Sequence, residues 1–396
     1  MPTDFPQELV EEILDHLRED ADSLRTCSLV CRAWVSRCRS HLFETCPLYP
    51  DSIVGFRDLL RFPCTFLPHI RRIEAVRHDW DENDHCFDKI GSILSSLVGI
   101  HELELILYIV RAKEHSILSR GFMVAFPHVT RLSLSFPHGD FDAEPGVPII
   151  DMICLFPALQ DLNVGTFFGV VAIPSPNAVP PPGLRCLKIH GDALRPVLKW
   201  LDMWGHIPNM DSVTLFSMSD VGVVSTVMRQ LGGTLRHLDF DLSYLADLTY
   251  WSPNVDPSTI FDLALHPNLK TLIIRDDGYR NDFDPDQLFQ LIMGLAASSL
   301  ERFSLDLDLS HFENLNWAAL DTFLCAPRFP RLRSVIVKCC RHREIHKHDD
   351  HPFLHGALPF TRGFGVVADR AVWDLKYHAI GAGGSSGSNV TIKIFT

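Results

Sequence analysis

Three groups of side chains in this sequence could do chemistry. Gly383-Gly384-Ser385-Ser386-Gly387 has the G-x-S-x-G order of a nucleophile elbow, where a strained turn between a strand and a helix exposes a serine for attack. Here the serine sits in a Gly/Ser run, and Val390-Thr391-Ile392-Lys393-Ile394 follows as an extended alternation. An elbow needs a helix there, so the stretch reads as a linker. The second group is His342-Arg343-Glu344-Ile345-His346-Lys347-His348, followed by Asp349, Asp350, His351 and His355. Imidazoles and carboxylates are the donors of zinc and nickel sites. The helical H-E-x-x-H motif puts its glutamate directly after the first histidine, whereas Glu344 comes one place later, and Arg341, Arg343 and Lys347 oppose a cation. This group reads as a solvated loop. The third is Asp239, Asp241, Asp306 and Asp308, carboxylates that could share acid and base roles if their environments separated their pKa values. The pattern around them makes them surface charge on a binding face. No catalytic residue, metal ligand or cofactor site is assigned, and the chain is expected not to be an enzyme.

The elements that would position such groups must come from 396 residues, enough for two domains or one elongated repeat array. A net charge of −13 argues against nucleic acid as a partner. With 46% apolar residues the chain can fill a large core. No apolar run reaches the roughly 18 residues of a membrane span, and the acidic N-terminus lacks signal-peptide order; no membrane partner is expected. Eleven scattered cysteines are odd in number and many fall at core positions, as Cys27, Cys154 and Cys186 do. That fits reduced thiols in cytoplasm or nucleus, so the sequon Asn389-Val390-Thr391 is expected to stay unglycosylated.

The N-terminal residues are the most specific. They read Asp4-Phe5-Pro6-Gln7-Glu8-Leu9-Val10-Glu11-Glu12-Ile13-Leu14-Asp15-His16-Leu17, then Leu24-Arg25-Thr26-Cys27-Ser28-Leu29-Val30-Cys31-Arg32-Ala33-Trp34, then Leu42-Phe43. Pro6 suits a helix start, with Thr3 or Asp4 available as N-cap and Glu8 in the first turn. Val10, Ile13, Leu14 and Leu17 follow helical spacing as one apolar stripe, and Leu24, Cys27, Val30, Cys31 and Trp34 form another. About 40 residues is near the limit of a self-sufficient core, so the rest of the chain or a partner must cover part of this surface. The order Phe-Pro, Glu-Leu, Ile-Leu, Leu, Leu-Val-Cys-Arg-x-Trp resembles the F-box, a helical module that docks substrate receptors onto a Skp-type adaptor in a cullin ubiquitin ligase. The family usually begins Leu-Pro; Phe5 replaces that leucine here. The resemblance implies that Phe5, Pro6, Leu9, Ile13, Leu14, Leu17, Leu24, Val30 and Trp34 supply the adaptor contact or its supporting core.

Downstream, one phrase recurs: apolar, two variable residues, apolar, one variable, apolar. It occurs as Ile70-Ile73-Ala75, Ile100-Leu103-Leu105, Val129-Leu132-Leu134, Leu159-Leu162-Val164 and Leu184-Leu187-Ile189. It continues as Met210-Val213-Leu215, Leu235-Leu238-Phe240, Leu269-Leu272-Ile274, Leu300-Phe303-Leu305 and Leu332-Val335-Val337. Ten starts separated by 25 to 34 residues indicate repeats. In seven, a proline lies two positions ahead: Pro68, Pro127, Pro157, Pro182, Pro208, Pro267 and Pro330. It halts a preceding helix and favours extension after it. Amphipathic stretches such as Ile90-Ile93-Leu94-Leu97, Leu194-Val197-Leu198-Leu201 and Leu288-Leu291-Ile292-Leu295 come before the phrases, the second of them followed by Pro208. Each unit is expected to be a helix, a proline turn and a short strand.

Such units resemble leucine-rich repeats. The resemblance implies an α/β fold: an all-helical F-box followed by a solenoid with parallel strands on its concave face and helices outside. A doubly wound α/β domain is the other architecture with this alternation; regular spacing and the lack of a Gly-rich phosphate loop favour the solenoid. The Asn or Cys expected three places after the third apolar residue is missing except at Cys340, which predicts an irregular stack. The expected organisation is F-box at residues 1–45, linker at 46–66, about ten repeat units at 67–340, and a C-terminal cap and flexible tail at 341–396. Ile173 to Pro182 is a stiff Pro-rich loop within one unit.

On this reading the residues flanking the inward apolars form the concave face, and Lys188, His190, His237, Asp239, Asp241, Arg275, Arg302, Asp306 and Lys338 are candidate target contacts. Earlier units contribute Glu102, Glu104, Arg131, Ser133, Asp161 and Asn163; later ones add Thr271, Ile273, Ser304, Ser334 and Ile336. Mixed charge suits a specific polar partner. The expected function is a substrate receptor of a Skp–cullin–F-box ligase, with adaptor and cullin reached through the F-box and a protein target through the repeats. A free-standing repeat scaffold with no role in ubiquitination is the alternative.

Overall fold

The computed structural model describes residues 6–60, 66–78, 94, 97, 99–108, 122, 125–137, 146–216, 220–242, 260–276, 283–307, 311–325, 327–339, 366–369 and 391–395. The chain divides into two compact units, residues 1–184 and 185–396.

The first unit opens with helices α1 (Gln7–His16), α2 (Ala21–Cys27) and α3 (Arg32–Leu42). Pro6 stands immediately before α1, and its carbonyl accepts the Leu9 and Val10 N–H groups at 3.2 and 3.3 Å. No side chain caps that end; Thr3 and Asp4, expected as caps, lie outside the described residues, as does Phe5. The Asp20 carboxylate caps α2 by accepting the Ser23 N–H at 3.0 Å.

Two residues after α3, strand β1 (Thr45–Leu48) begins, and helix α4 (Pro50–Leu60) follows. Residues 46–66, expected as a link, include most of β1, which pairs in parallel with β2 (Arg72–His78). The unit continues in parallel through β3 (Glu102–Tyr108), β4 (Arg131–Ser135) and β5 (Asp161–Phe167). A short helix, α5 (Ile149–Ile153), precedes β5. After β5 the Pro-rich loop is fastened to α5, because Ser175 donates its Oγ–H to the Asp151 carboxylate at 2.6 Å.

The second unit holds six parallel strands: β6 (Cys186–Gly191), β7 (Ser212–Phe216), β8 (His237–Asp241), β9 (Thr271–Arg275), β10 (Arg302–Leu307) and β11 (Ser334–Cys339). Helices α6 (Leu194–Met203), α7 (Val221–Leu231), α8 (Pro285–Met293) and α9 (Trp317–Leu324) lie between strands in the sequence. Asp220, Asp284 and Asn316 cap α7, α8 and α9 by accepting main-chain N–H groups at 3.2, 2.9 and 3.1 Å. The row ends with a reversal: β13 (Thr391–Phe395) pairs antiparallel with β11, and β12 (Val366–Asp369) pairs antiparallel with β13. The Gly383–Gly387 run, residues 341–365 and Asp308 lie outside the described residues.

The ten phrases read from the sequence coincide with β2 to β11. Of their thirty apolar positions, all but Leu332 are buried, none of them more than 5% exposed. Burying one such aliphatic side chain contributes about 1.5–3 kcal/mol, so the pattern is also the main source of cohesion. Pro68 and Pro208 each sit in a single 3-10 turn, Leu67–His69 and Ile207–Asn209, directly ahead of a strand. In the second unit the Phe240 and Phe261 rings stack with centroids 4.3 Å apart, both fully buried.

The Asn of a leucine-rich repeat, expected at the far end of each strand, is absent, and the strands carry a main-chain ladder at their entrances. Within each unit, one carbonyl just ahead of a parallel strand accepts two consecutive N–H groups at the start of the next. Arg71 O takes His101 and Glu102, His101 O takes Thr130 and Arg131, and Thr130 O takes Gln160 and Asp161. The second unit repeats this with Arg185 O, Asp211 O, Arg236 O, Lys270 O and Glu301 O, at 2.7–3.2 Å. Polar main-chain groups at the strand entrances are thereby satisfied without side chains.

Candidate functional site

Two surfaces emerge, one in each unit. In the first, α1 to α3 enclose a core of Val10, Leu14, Leu24 and Cys38, with Leu17, Cys27, Trp34 and Leu42 packed against it. Each residue turns a helix by about 100°, so Leu9 and Ile13 fall on one flank of the line through Val10, Leu14 and Leu17. Three short helices cannot cover so wide a stripe, and Leu9 and Ile13 remain 45% and 50% exposed. Val10 and Leu14 thus take the inward part of the apolar stripe, and Ile13 lies on its exposed edge. At the turn between α2 and α3, Leu29 and Val30 are 86% and 61% exposed. They are held there by main-chain bonds from Leu29 N–H to Thr26 O and from Val30 N–H to Cys27 O, at 3.0 and 3.1 Å.

The nine residues assigned from the F-box resemblance therefore separate. Phe5 lies outside the described residues; Pro6, Leu9, Ile13 and Val30 face solvent, while Leu14, Leu17, Leu24 and Trp34 support them from inside. Leu29 belongs with the exposed group and was not singled out, because periodicity cannot say which way a turn residue points.

The helices are cross-linked at the polar edge. The Asp15 carboxylate on α1 accepts Arg37 Nε–H at 2.6 Å and lies 2.8 Å from His41 Nε2, both on α3. These hydrogen bonds, Arg37's first, lower the Asp15 pKa to about 2. A carboxyl held below its unfolded value of roughly 3.9 contributes stability above that value, and the contribution is lost as pH falls toward 2. Thermal melts between pH 2 and 7 should show this acid-dependent loss, and Asp15→Asn should remove it. An identical acid profile in the variant would contradict the assignment.

The junction to the sheet is also tied. Glu44, between α3 and β1, pairs with Arg18, and its carbonyl accepts the Arg71 and Arg72 N–H groups at 2.9 and 3.0 Å. The rings of Phe43 and Phe66 meet with centroids 5.1 Å apart. On the sheet of this unit, Arg131 bridges Glu102 at 2.6 Å and Asp161 at 3.0 Å, Arg72 pairs with Glu104, and Asn163 donates to Ser133 Oγ at 2.9 Å.

In the second unit most of the predicted target contacts come together on the face opposite the inward apolars. Arg275 grips Asp239 with Nε and Nη2, at 2.7 and 2.9 Å, and reaches Asp306 with Nη1 at 3.2 Å. Asp241 stands directly opposite Arg275 in register and is buried. The Phe216 ring, on β7, has Lys188 Nζ 5.5 Å and Arg275 Cζ 5.7 Å from its centroid, with the His190 ring 5.7 Å away. His237 and Arg302 lie in the adjacent row, each opposite Thr271, and both are exposed. Lys338 is placed opposite Asp306 by register; its side chain lies outside the described residues.

Phe216 was missed, yet a signal existed. It follows the inward Leu215 as His190 follows Ile189, Asp241 follows Phe240, Arg275 follows Ile274 and Asp306 follows Leu305. Aligning all ten units on their apolar residues places it in that column.

Of the other candidate chemistry, the His-rich segment 342–355 lies outside the described residues, and among the described residues no three His, Cys, Asp or Glu side chains are grouped to hold a metal. Cys27, Cys31, Cys38, Cys46, Cys154, Cys186 and Cys325 are free thiols, and burial pushes the pKa values of Cys46 and Cys154 up to about 11. Among the described residues no helix is long and apolar enough to cross a membrane.

No curated protein matches the chain. The F-box domain family model matches residues 2–45, the interval holding α1 to α3, and this chain therefore carries an F-box domain at its N-terminus.

Proposed function

We propose that this chain is a substrate receptor of a Skp–cullin–F-box ubiquitin ligase. The observation that carries the reading is an F-box domain whose Leu9, Ile13, Leu29 and Val30 remain exposed on ordered backbone. These residues, with Phe5 and Pro6, dock the Skp-type adaptor, and the adaptor joins the cullin. The strand repeats, read as leucine-rich repeats, present a target protein. Lys188, His190, His237, Asp239, Asp241, Arg275, Arg302, Asp306 and Lys338 are its contacts. Ubiquitin transfer belongs to other subunits; this chain contributes proximity, converting a bimolecular encounter into a local one. The surroundings are cytoplasm or nucleus, where the free thiols stay reduced.

Chain purified from cells should co-elute with adaptor and cullin, and proteins captured by the full chain should accumulate when residues 1–45 are deleted. Elution without adaptor and cullin, with captured proteins unchanged in abundance, leaves the free-standing scaffold.

A further inference from the structure

The charged face of the second unit is layered. Asp239, Asp241 and Asp306 are its inner members, with side chains of Asp239 and Asp306 only 16% and 12% exposed; Asp241 is buried outright. The cations are outermost: the Arg275 side chain is 31% exposed, and Lys188 is an exposed residue. Arg275 is anchored by two carboxylates, so it holds a fixed position beside Phe216. Lys188 reaches the same ring from β6, and among the described residues no carboxylate lies within ion-pair distance of it. Arg275 is already matched by two carboxylates, so the exposed Lys188 ammonium, with no carboxylate partner among the described residues, is the group at this ring left open to an anionic ligand.

From this geometry we infer that Lys188, Phe216 and Arg275 form the anchor for an acidic, Asp- or Glu-containing segment of the target protein. The inference rests on the receptor reading above and narrows it to one class of target. A carboxylate settles on the Lys188 ammonium, and the methylenes leading to it lie along Phe216. A phosphoryl group is disfavoured by the hydrogen bonds already made. Arg275 Nε, Nη1 and Nη2 each donate to Asp239 or Asp306, leaving no open guanidinium fork of the kind that phosphate recognition uses. The chain as a whole, at a net charge of −13, repels an acidic segment. Adhesion of one must therefore be local.

The test uses the full chain in complex with its adaptor and three fluorescein-labelled decapeptides: alternating Glu-Gly, the same with Gln for Glu, and the same with phosphoserine for Glu. Anisotropy should show the Glu peptide binding, weakening as salt rises from about 50 to 300 mM, with the Gln peptide at least about tenfold weaker. Lys188→Glu should cost the Glu peptide at least about tenfold, and Phe216→Ala should weaken it too. Arg57→Gln, on α4 of the first unit, should leave binding unchanged, and an unchanged urea midpoint of the second unit in the Lys188 and Phe216 variants certifies its fold. Equal binding of Glu and Gln peptides, no binding of either, indifference to Lys188→Glu, or preference for the phosphoserine peptide each overturns the inference. The receptor reading fails separately. If captured proteins still accumulate on deletion of residues 1–45 while no acidic peptide binds, only the class of target is wrong.

Discussion

A chain carrying Leu9→Asp and Ile13→Asp together is expected to lose its Skp-type adaptor while keeping its helices. Both side chains are about half exposed, so neither charge has to enter the F-box core. In an adaptor complex they would be desolvated. An apolar anchor is commonly worth about 2 kcal/mol or more, and burying an unpaired carboxylate in its place adds to the loss. Two such changes move the dissociation constant by at least about three decades. Isothermal titration with purified adaptor measures the loss, and far-ultraviolet circular dichroism verifies the helices. A double variant that binds normally sinks the docking assignment. Trp34→Ala is less informative, although sequence reasoning offers it equally. Trp34 packs against the Val10–Leu14–Leu24–Cys38 core, so its removal is expected to abolish binding by loosening the helices, with a fall in helical signal alongside.

The largest stability effect is expected at Phe240→Ala. Phe240 is fully buried, stacked on Phe261, and in the middle of the second unit's parallel strands. Deleting such a ring removes its transfer free energy and leaves a cavity that rigid neighbours cannot fill, at a cost of about 3–5 kcal/mol. Faster amide exchange across β7, β8 and β9, with a lower urea midpoint for the unit, is the expected readout. An unchanged midpoint shows that Phe240 does not hold these strands. Phe216→Ala, on the opposite face of the neighbouring strand, should cost far less, because Phe216 is only partly buried.

The sequence made the strands legible because burial on one side imposes a strict two-residue alternation. Val213 and Leu215, or Leu272 and Ile274, have no other arrangement in which both reach the core. The helices were legible where a long apolar stripe preceded a proline, as at Leu194 to Leu201. Other features depend on what chain neighbours do in space. Ile13 satisfies helical spacing as well as Leu14 does, and only the extent of α2 and α3 decides which is covered. Thr45–Leu48 is too short to display the phrase, and its strand character comes from β2 beside it. Similarly, the alternation at Val390 to Ile394 marked a strand, but its antiparallel pairing with β11 left no trace in residue types. Arg275 could be placed on the face; its simultaneous hold on Asp239 and Asp306 required a diagonal reach that register alone does not give.

The forked carbonyl at each strand entrance has a consequence for how such a chain can change over time. Every amino acid carries the same main-chain carbonyl, and every one but proline the same N–H. A ladder made only of these groups is indifferent to nearly any substitution beside it. A side-chain ladder, by contrast, would fix one Asn per unit and penalise its loss. Here that constraint is absent, so connecting segments can lengthen or shorten, as intervals of 25 to 34 residues already do, without disturbing strand alignment. Outward positions can be rewritten one at a time on a framework that does not register the edit. On the receptor reading proposed above, one client could be exchanged for another by altering a few exposed side chains while the spacing of the inward apolar residues is kept.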